Sequence, residues 1–297
     1  MQRDNNTTAF SNNNDDTSAA LQPQAVLDAA DSIMARELNE LSLQEREDAS
    51  YEIHGISNIG DENPQLIAEG LELLDQELKK LVTSSSAGNR GGSGASGRRD
   101  NSNSEDLSSA YREAMSQDRS YVERETFRVM FLRAEQHQKH GTSTKNSASS
   151  AISEAAAKRV LKFFDIKRRL FGVEKLTKDI TFEDLNVAAQ NLLNVGYMTL
   201  LPQKDPAGRT ILLRHAAFTT AFSNGTSAIS ASQVFFYTLM CAITNDVEAQ
   251  RKGLIFITYA IDAPILDAKG AFEERQALSM NACIMSSVPF RMICMHW

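Results

Sequence analysis

The chain reads as an α/β protein in which a helical N-terminal region leads into a sheet with helices packed on it. Three observations predict this. Leu254 to Ile261 (LIFITYAI) is a nearly unbroken apolar run rich in Ile, Phe and Tyr, entered from Arg251-Lys252-Gly253 and left at Asp262-Ala263-Pro264. A strand buried on both faces has this pattern, whereas a half-solvated strand alternates. A second short apolar run, Met292 to Met295, follows Val288-Pro289-Phe290-Arg291. The segment between the runs, Gly270 to Ser287, is long enough for the helical crossover that two parallel neighbouring strands require.

Composition narrows the class. The 297 residues suit one folded domain with an N-terminal extension. A formal net charge of −7 argues against general nucleic-acid binding, which favours a basic surface. Three cysteines without a CxxC pair make neither a disulfide framework nor a zinc site, and they fit a reducing, cytoplasmic setting. The start MQRDNNTTAFSNNNDD has no apolar core of a signal peptide. The longest apolar run, Val234 to Ile243, is far shorter than the roughly 20 residues that cross a bilayer. A soluble protein that can touch membranes at its surface is expected.

Taken in order, residues 1–22 are rich in Asn, Asp, Thr and Ser and lack the apolar content that offsets the entropy of ordering, so they are expected to be disordered. Residues 23–82 form a helical region: Val26, Ala29, Ala30, Ile33, Met34, Leu38 and Leu41 recur at helical spacing, and Asn63-Pro64 is an N-cap and N1 pair for a helix through Ile67, Leu71, Leu74, Leu78 and Leu81. These two helices can form a hairpin. The Gly- and Ser-rich stretch 83–104 is a flexible linker, with Arg98 and Arg99 solvated in it.

Residues 105–195 carry further helices. Leu107 to Glu135 is expected to be helical, and so is Ile152 to Phe171, where Val160, Leu161, Phe163, Phe164 and Leu170 share one side. Lys158, Lys162 and Arg169 share the other side with Asp165, a basic face suited to an anionic membrane or simply to water. Thr181 and Asp184 have capping-box spacing for a helix running to Asn194, and Gly196 ends it. In the last part, 196–297, Asp205-Pro206-Ala207-Gly208 has type I turn preferences and Thr210 to Leu213 follows as a strand. Ser230 or Ser232 caps the helix of Val234, Phe235, Phe236, Leu239, Met240 and Ile243.

Several of these stretches together carry a resemblance. Phe131-Leu132-Arg133-Ala134, the basic helix tail Lys158 to Arg169, the D-x-x-G-R segment in Lys204 to Thr210, the apolar strand after Gly253, and Pro289-Phe290-Arg291 stand in order over the second half of the chain. From about Thr126 onward the chain resembles the CRAL-TRIO family of lipid-binding and lipid-transfer proteins. That resemblance implies a helical part followed by a mixed sheet, whose one face and covering helices enclose an apolar pocket for one lipid behind a mobile gate helix. It makes Leu213, Phe256, Met285, Phe290, Met292 and Cys294 the candidate pocket lining, the methionines suiting variable chains through their flexible thioethers. Members that handle phosphatidylinositol have Glu between the Pro and Arg, where this chain has Phe290. The family also continues beyond the position of Trp297, so the domain is expected to be incomplete at its C-terminus.

The expected function is binding, and transfer between membranes, of a hydrophobic lipid without catalysis or cofactor. The expected partners are the lipid, transiently a membrane surface, and a protein docked on the N-terminal helices; nucleic acid is not among them. An interaction module that keeps the fold but not the ligand is the alternative. Enzyme chemistry has one foothold: Cys294 and His296 lie two apart, facing the same side of a strand as nucleophile and base would. Asp246, Glu248 and Asp262 read as a helix end and a strand exit, and GxSxG, Walker A and HExxH motifs are absent.

Overall fold

A computed structural model describes residues 62–87, 107–136, 145–261 and 263–296, with Ser32, Arg36, Ser42, Leu43 and Glu45. The chain divides into two units, Met1–Tyr51 and Glu52–Trp297. In the first, Ser32, Arg36, Leu43 and Glu45 are helical. Ser42 and Glu45 form a reciprocal cap: the Ser42 N–H donates to Glu45 Oε2 at 2.8 Å and the Glu45 N–H to Ser42 Oγ at 3.2 Å. The remaining expectations for 1–50, the linker beyond Ala87, and Arg98, Arg99 and Asp262 lie outside the described residues.

The second unit begins with helix α1 (Pro64–Ala87). Asn63 Oδ1 accepts the Gln65 N–H at 2.9 Å, and Pro64 occupies the first helical position, where its missing N–H costs nothing. Leu74 and Leu78 of α1 are buried in the same core as Phe131 and Phe163, so this helix packs with those after the Gly/Ser-rich stretch. Leu107 to Glu135 is not one helix but three: α2 (Ser108–Gln117), α3 (Arg119–Val122) and α4 (Glu125–Glu135). Asp118 breaks the first by turning extended, and its carboxylate accepts the Tyr121 N–H at 3.1 Å, which a mid-helix Asp could not do. Arg124, also non-helical, makes the second break.

Helix α5 (Lys145–Phe171) begins a turn and more before Ile152. Its apolar side is buried as expected, and Phe163 and Phe164 meet Phe127 and Phe131 edge-on, with centroids 5.4–5.9 Å apart. Asp165, expected on the wet side, is buried and accepts from Arg168 at 3.3 Å. The Thr181–Asp184 capping box forms, but it opens only a 3-10 turn, Phe182–Asp184. Asn186 caps the helix proper, α6 (Val187–Asn194), accepting the Ala189 N–H at 2.9 Å.

The sheet has the order β1-β2-β3-β4, formed by Met198–Leu200, Thr210–His215, Leu254–Tyr259 and Met292–His296. β1 and β2 are antiparallel; β2, β3 and β4 run parallel, making the sheet mixed. β1 had no sequence signal beyond three residues after Gly196. The intervening turn closes through the Gly208 N–H on the Asp205 carbonyl at 2.8 Å, and the Asp205 carboxylate takes the Arg209 N–H at 2.6 Å and its guanidinium at 2.6 Å. β2 runs two residues past Leu213, and β3 stops at Tyr259, short of Ile261.

A short helix, α7 (Thr220–Ser223), precedes α8 (Ala228–Ile243), which is capped by Ser227. Ser230 supplies the N–H that Ser227 accepts at 3.2 Å, so Ser230 and Ser232 lie inside the helix rather than capping it. α9 (Val247–Lys252) leads into β3 through Gly253 at φ 80°, where an added Cβ would stand 2.6 Å from the Arg291 carbonyl oxygen. α10 (Ala268–Met285) is the crossover between β3 and β4. Right-handed crossovers that advance in one direction across a sheet fall on one of its faces. Accordingly Phe235 of α8 meets Phe256 with centroids 5.8 Å apart, and Glu274 of α10 meets Arg214 at 2.6 Å, both on the face that carries Leu212.

Candidate functional site

The other face is built by the alternate residues. The register sets Ile211 beside Ile255, Leu213 beside Ile257 and His215 beside Tyr259, and continues with Cys294 beside Ile255 and His296 beside Ile257. Side chains two apart on a strand share a face, so these form one apolar surface with an imidazole at each side. Burial in β2 follows the alternation: Thr210, Leu212 and Arg214 are buried, while Ile211, Leu213 and His215 are only half-buried. Tyr259 remains 40% exposed. Phe218, from the 3-10 turn after β2, leans on His215 at 5.0 Å between centroids, and Tyr259 lies 4.8 Å from the same ring. His215 Nδ1 is enclosed there without a hydrogen-bond partner among the described residues. A buried acceptor or donor left in this state costs roughly 1–3 kcal/mol.

The six candidate lining residues divide between two environments. Leu213 and Cys294 are on this half-open face. Phe256 points the opposite way onto Phe235, Phe290 is buried in the core, and Met285 and Met292 pack against that core. They therefore do not form one wall. Leu213 pairs with Ile257, not Phe256, and a shift of one residue in register sends a side chain to the other face. Ile211, Ile255, Ile257, His215 and Tyr259 were missed; strand parity could have grouped them within each strand, but the pairing between strands is not written locally.

Lys158, Lys162 and Arg169 are exposed on α5, and Lys158 pairs with Glu154 at 2.6 Å. Cys294 Sγ lies 3.1 Å from His296 Nε2 on the edge strand. A working thiol–imidazole pair also needs a group to orient the ring. Asp246 caps α9, accepting the Ala249 N–H at 3.0 Å, and pairs with Lys204 at 2.7 Å; Glu248 pairs with Lys252 at 3.0 Å.

Lys167 escaped the sequence reading. It is buried beneath α5, with Nζ 3.0 Å from Tyr121 Oη, 3.1 Å from the Leu176 carbonyl and 2.5 Å from the Lys178 carbonyl, while Tyr121 Oη donates to Asp179 at 3.0 Å. As an ammonium it fills all three donor positions and ties the segment after α5 to the helical layer. Burial pulls it down to about 7, against the opposing pull of Asp179. Periodicity placed Lys158 and Lys162 outside correctly but could not distinguish Lys167, because its acceptors are carbonyls and a hydroxyl supplied by other segments.

The arginines in the motif-like stretches are structural clamps. Arg133 donates through Nε and Nη2 to the two Glu62 carboxylate oxygens, each at 2.6 Å, and this pairing holds the Glu62 carboxyl below its ordinary range. Arg159 pairs with Glu135 at 2.5 Å and donates to the Met285 and Val288 carbonyls, fastening the end of α10.

No described helix is long and apolar enough to cross a membrane, and no cluster of three or more His, Cys, Asp or Glu side chains suited to a metal occurs among the described residues. Compared with models of protein families and with curated proteins, the chain matches none.

Proposed function

We propose that the chain binds the hydrocarbon part of a lipid on the Ile211–Leu213–Ile257 face of its sheet and carries out no bond-making chemistry. The observation that carries this reading is an apolar strip, Ile211, Leu213 and Ile257 around the buried Ile255, left only partly buried on the side opposite both crossover helices. Each ~200 Å² of apolar surface withdrawn from water there contributes about 5 kcal/mol before the cost of immobilising the ligand. The CRAL-TRIO resemblance in the sequence favours the same ligand class, and the exposed Lys158, Lys162 and Arg169 supply a basic surface for transient attraction to an anionic membrane. Phe290, buried in the core, supplies no carboxylate for an inositol headgroup.

Native mass spectrometry of the purified full chain, followed by solvent extraction of bound material, tests the reading. Stoichiometric lipid that is lost in Leu213→Asp is the expected result. An empty wild-type chain that also takes up no fluorescent acyl lipid from vesicles sinks it.

A second reading, a docking module, is favoured by Ile261 and Ile265, exposed between β3 and α10, and Phe272, exposed near the start of α10, with Ile265 at 102% relative exposure. If that reading is right, Ile265→Asp abolishes partner or vesicle capture while leaving lipid uptake intact.

A further inference from the structure

Large apolar side chains exposed among the described residues mostly stand singly, as Leu66, Val173 and Val247 do, which is ordinary for a protein surface. Between the end of β3 and the second turn of α10 they do not: Tyr259, Ile261, Ile265 and Phe272 are all exposed within one short stretch. Local geometry holds these side chains outward. The Ala263 N–H returns to the Ala260 carbonyl at 3.1 Å, closing a turn with Ile261 at its first corner, 61% exposed. Pro264 fixes the backbone before Ile265, and Asp267 accepts the Gly270 N–H at 2.7 Å, pinning the far end of the loop to α10. Ile265, at 102%, is shielded by no neighbour. On the first two turns of α10 the carboxylates reach inward, Glu273 to the Ala228 N–H at 2.8 Å and Glu274 to Arg214 at 2.6 Å, while Lys269 and Arg275 are exposed along with Phe272.

A protein interface is built on a packed, shape-complementary core. These apolar tips stand on a turn, a loop and a helix, and a fluid phase that admits each tip separately suits them better. Long basic side chains near such tips keep their stems in the apolar layer and their charged heads among the headgroup phosphates. We propose that this loop and the start of α10 dock on a phospholipid bilayer, with Ile261, Ile265 and Phe272 entering the boundary between headgroups and acyl chains. The proposal rests on the docking reading and names its partner; it does not depend on a lipid held by the sheet face. Its attraction comes from apolar insertion. Unlike one carried by the basic face of α5, it therefore persists at high salt and on membranes without net charge.

Flotation of the full chain with phosphatidylcholine vesicles tests it. The wild type floats in low and in high salt alike. Ile265→Asp and Phe272→Asp each weaken vesicle binding about tenfold, and thermal melting confirms that both exposed-site variants are folded. Val187→Asp, at an exposed apolar position on α6, and Leu213→Asp, on the sheet face, leave flotation unchanged. Failure of the wild type to float, its release by high salt, flotation of Ile265→Asp equal to the wild type's, or loss of flotation in Val187→Asp or Leu213→Asp overturns the proposal. If the chain captures a protein but no vesicle, and Ile265→Asp abolishes that capture, the docking reading stands and the bilayer proposal falls. If it captures neither, both fall.

Discussion

The two faces of the sheet are made by the same strands and by residues of similar apolarity, yet they are covered to different extents. Leu212 and Phe256 are sealed under α8 and α10, with Phe256 at 6% exposure, whereas their chain neighbours Leu213 and Ile257 are only partly buried, beside Ile255, which is buried at 8%. Hydrophobicity therefore does not decide which residue is core. The hand of the crossovers does, by placing both connecting helices on one side. The covered face can even hold a buried cation: Arg214 is there, satisfied by Glu274 at 2.6 Å and Tyr197 Oη at 3.2 Å. Unpartnered buried polar atoms occur on both faces, Thr210 Oγ1 and Thr258 Oγ1 on the covered one and His215 Nδ1 on the half-open one. A surface with spare apolar area is suited to binding; its sealed counterpart is suited to stability.

The contrast can be broken by mutation. The largest effect is expected for Phe256→Ala, about 4 kcal/mol in urea unfolding, because the covered face cannot collapse around the lost ring. Glu274→Ala should follow at about 3 kcal/mol, since it strands the Arg214 guanidinium in a buried position; a loss under ~0.5 kcal/mol would show that water reaches Arg214.

Lys167 sharpens the comparison through pH. Its folded value, about 7, lies below the ordinary 10.5, so between these values the unfolded chain holds the proton more strongly. The stabilising contribution rises with pH in that window and is lost as pH falls towards 7. Relative to Lys167→Met, the wild type should gain about 2 kcal/mol between pH 7 and 9, measured by denaturant midpoints at each pH. A difference that stays constant over this range contradicts the assignment.

The smallest effect on folding belongs to Leu213→Ala and Ile257→Ala. These should cost only about 1 kcal/mol each, being half-solvated already, while reducing lipid uptake more than Phe256→Val does. If they destabilise as much as Phe256→Ala, the half-open face is core and the binding proposal loses its basis.

The motif-like residues show where sequence reading succeeded and why the site eluded it. Arg133, Asp205, Arg209 and Gly253 were singled out as parts of a resemblance, and each acts in the fold: a clamp on Glu62, a closed turn, and a left-handed residue where only glycine clears the Arg291 carbonyl. Phe290 and Phe256, nominated as lining, are core. The cap of α8 was placed at Ser230 or Ser232 rather than Ser227 because all three residues can cap, and the choice depends on where the preceding turn delivers the chain.

By itself the sequence determined the elements whose signals are local: the buried apolar strand entered through Gly253, the helix after Asn63-Pro64, the buried stripe of α5, the turn at Asp205, and a crossover long enough to make β3 and β4 parallel. Tertiary structure decided which strand residues pair, which face the helices cover, and which lysine on α5 is buried. Those outcomes depend on groups brought together from distant segments. Carbonyls at Leu176 and Lys178 for Lys167, a carboxylate on α10 for Arg214, and a one-residue register choice between Leu213 and Leu212 have no signature in the residues around them.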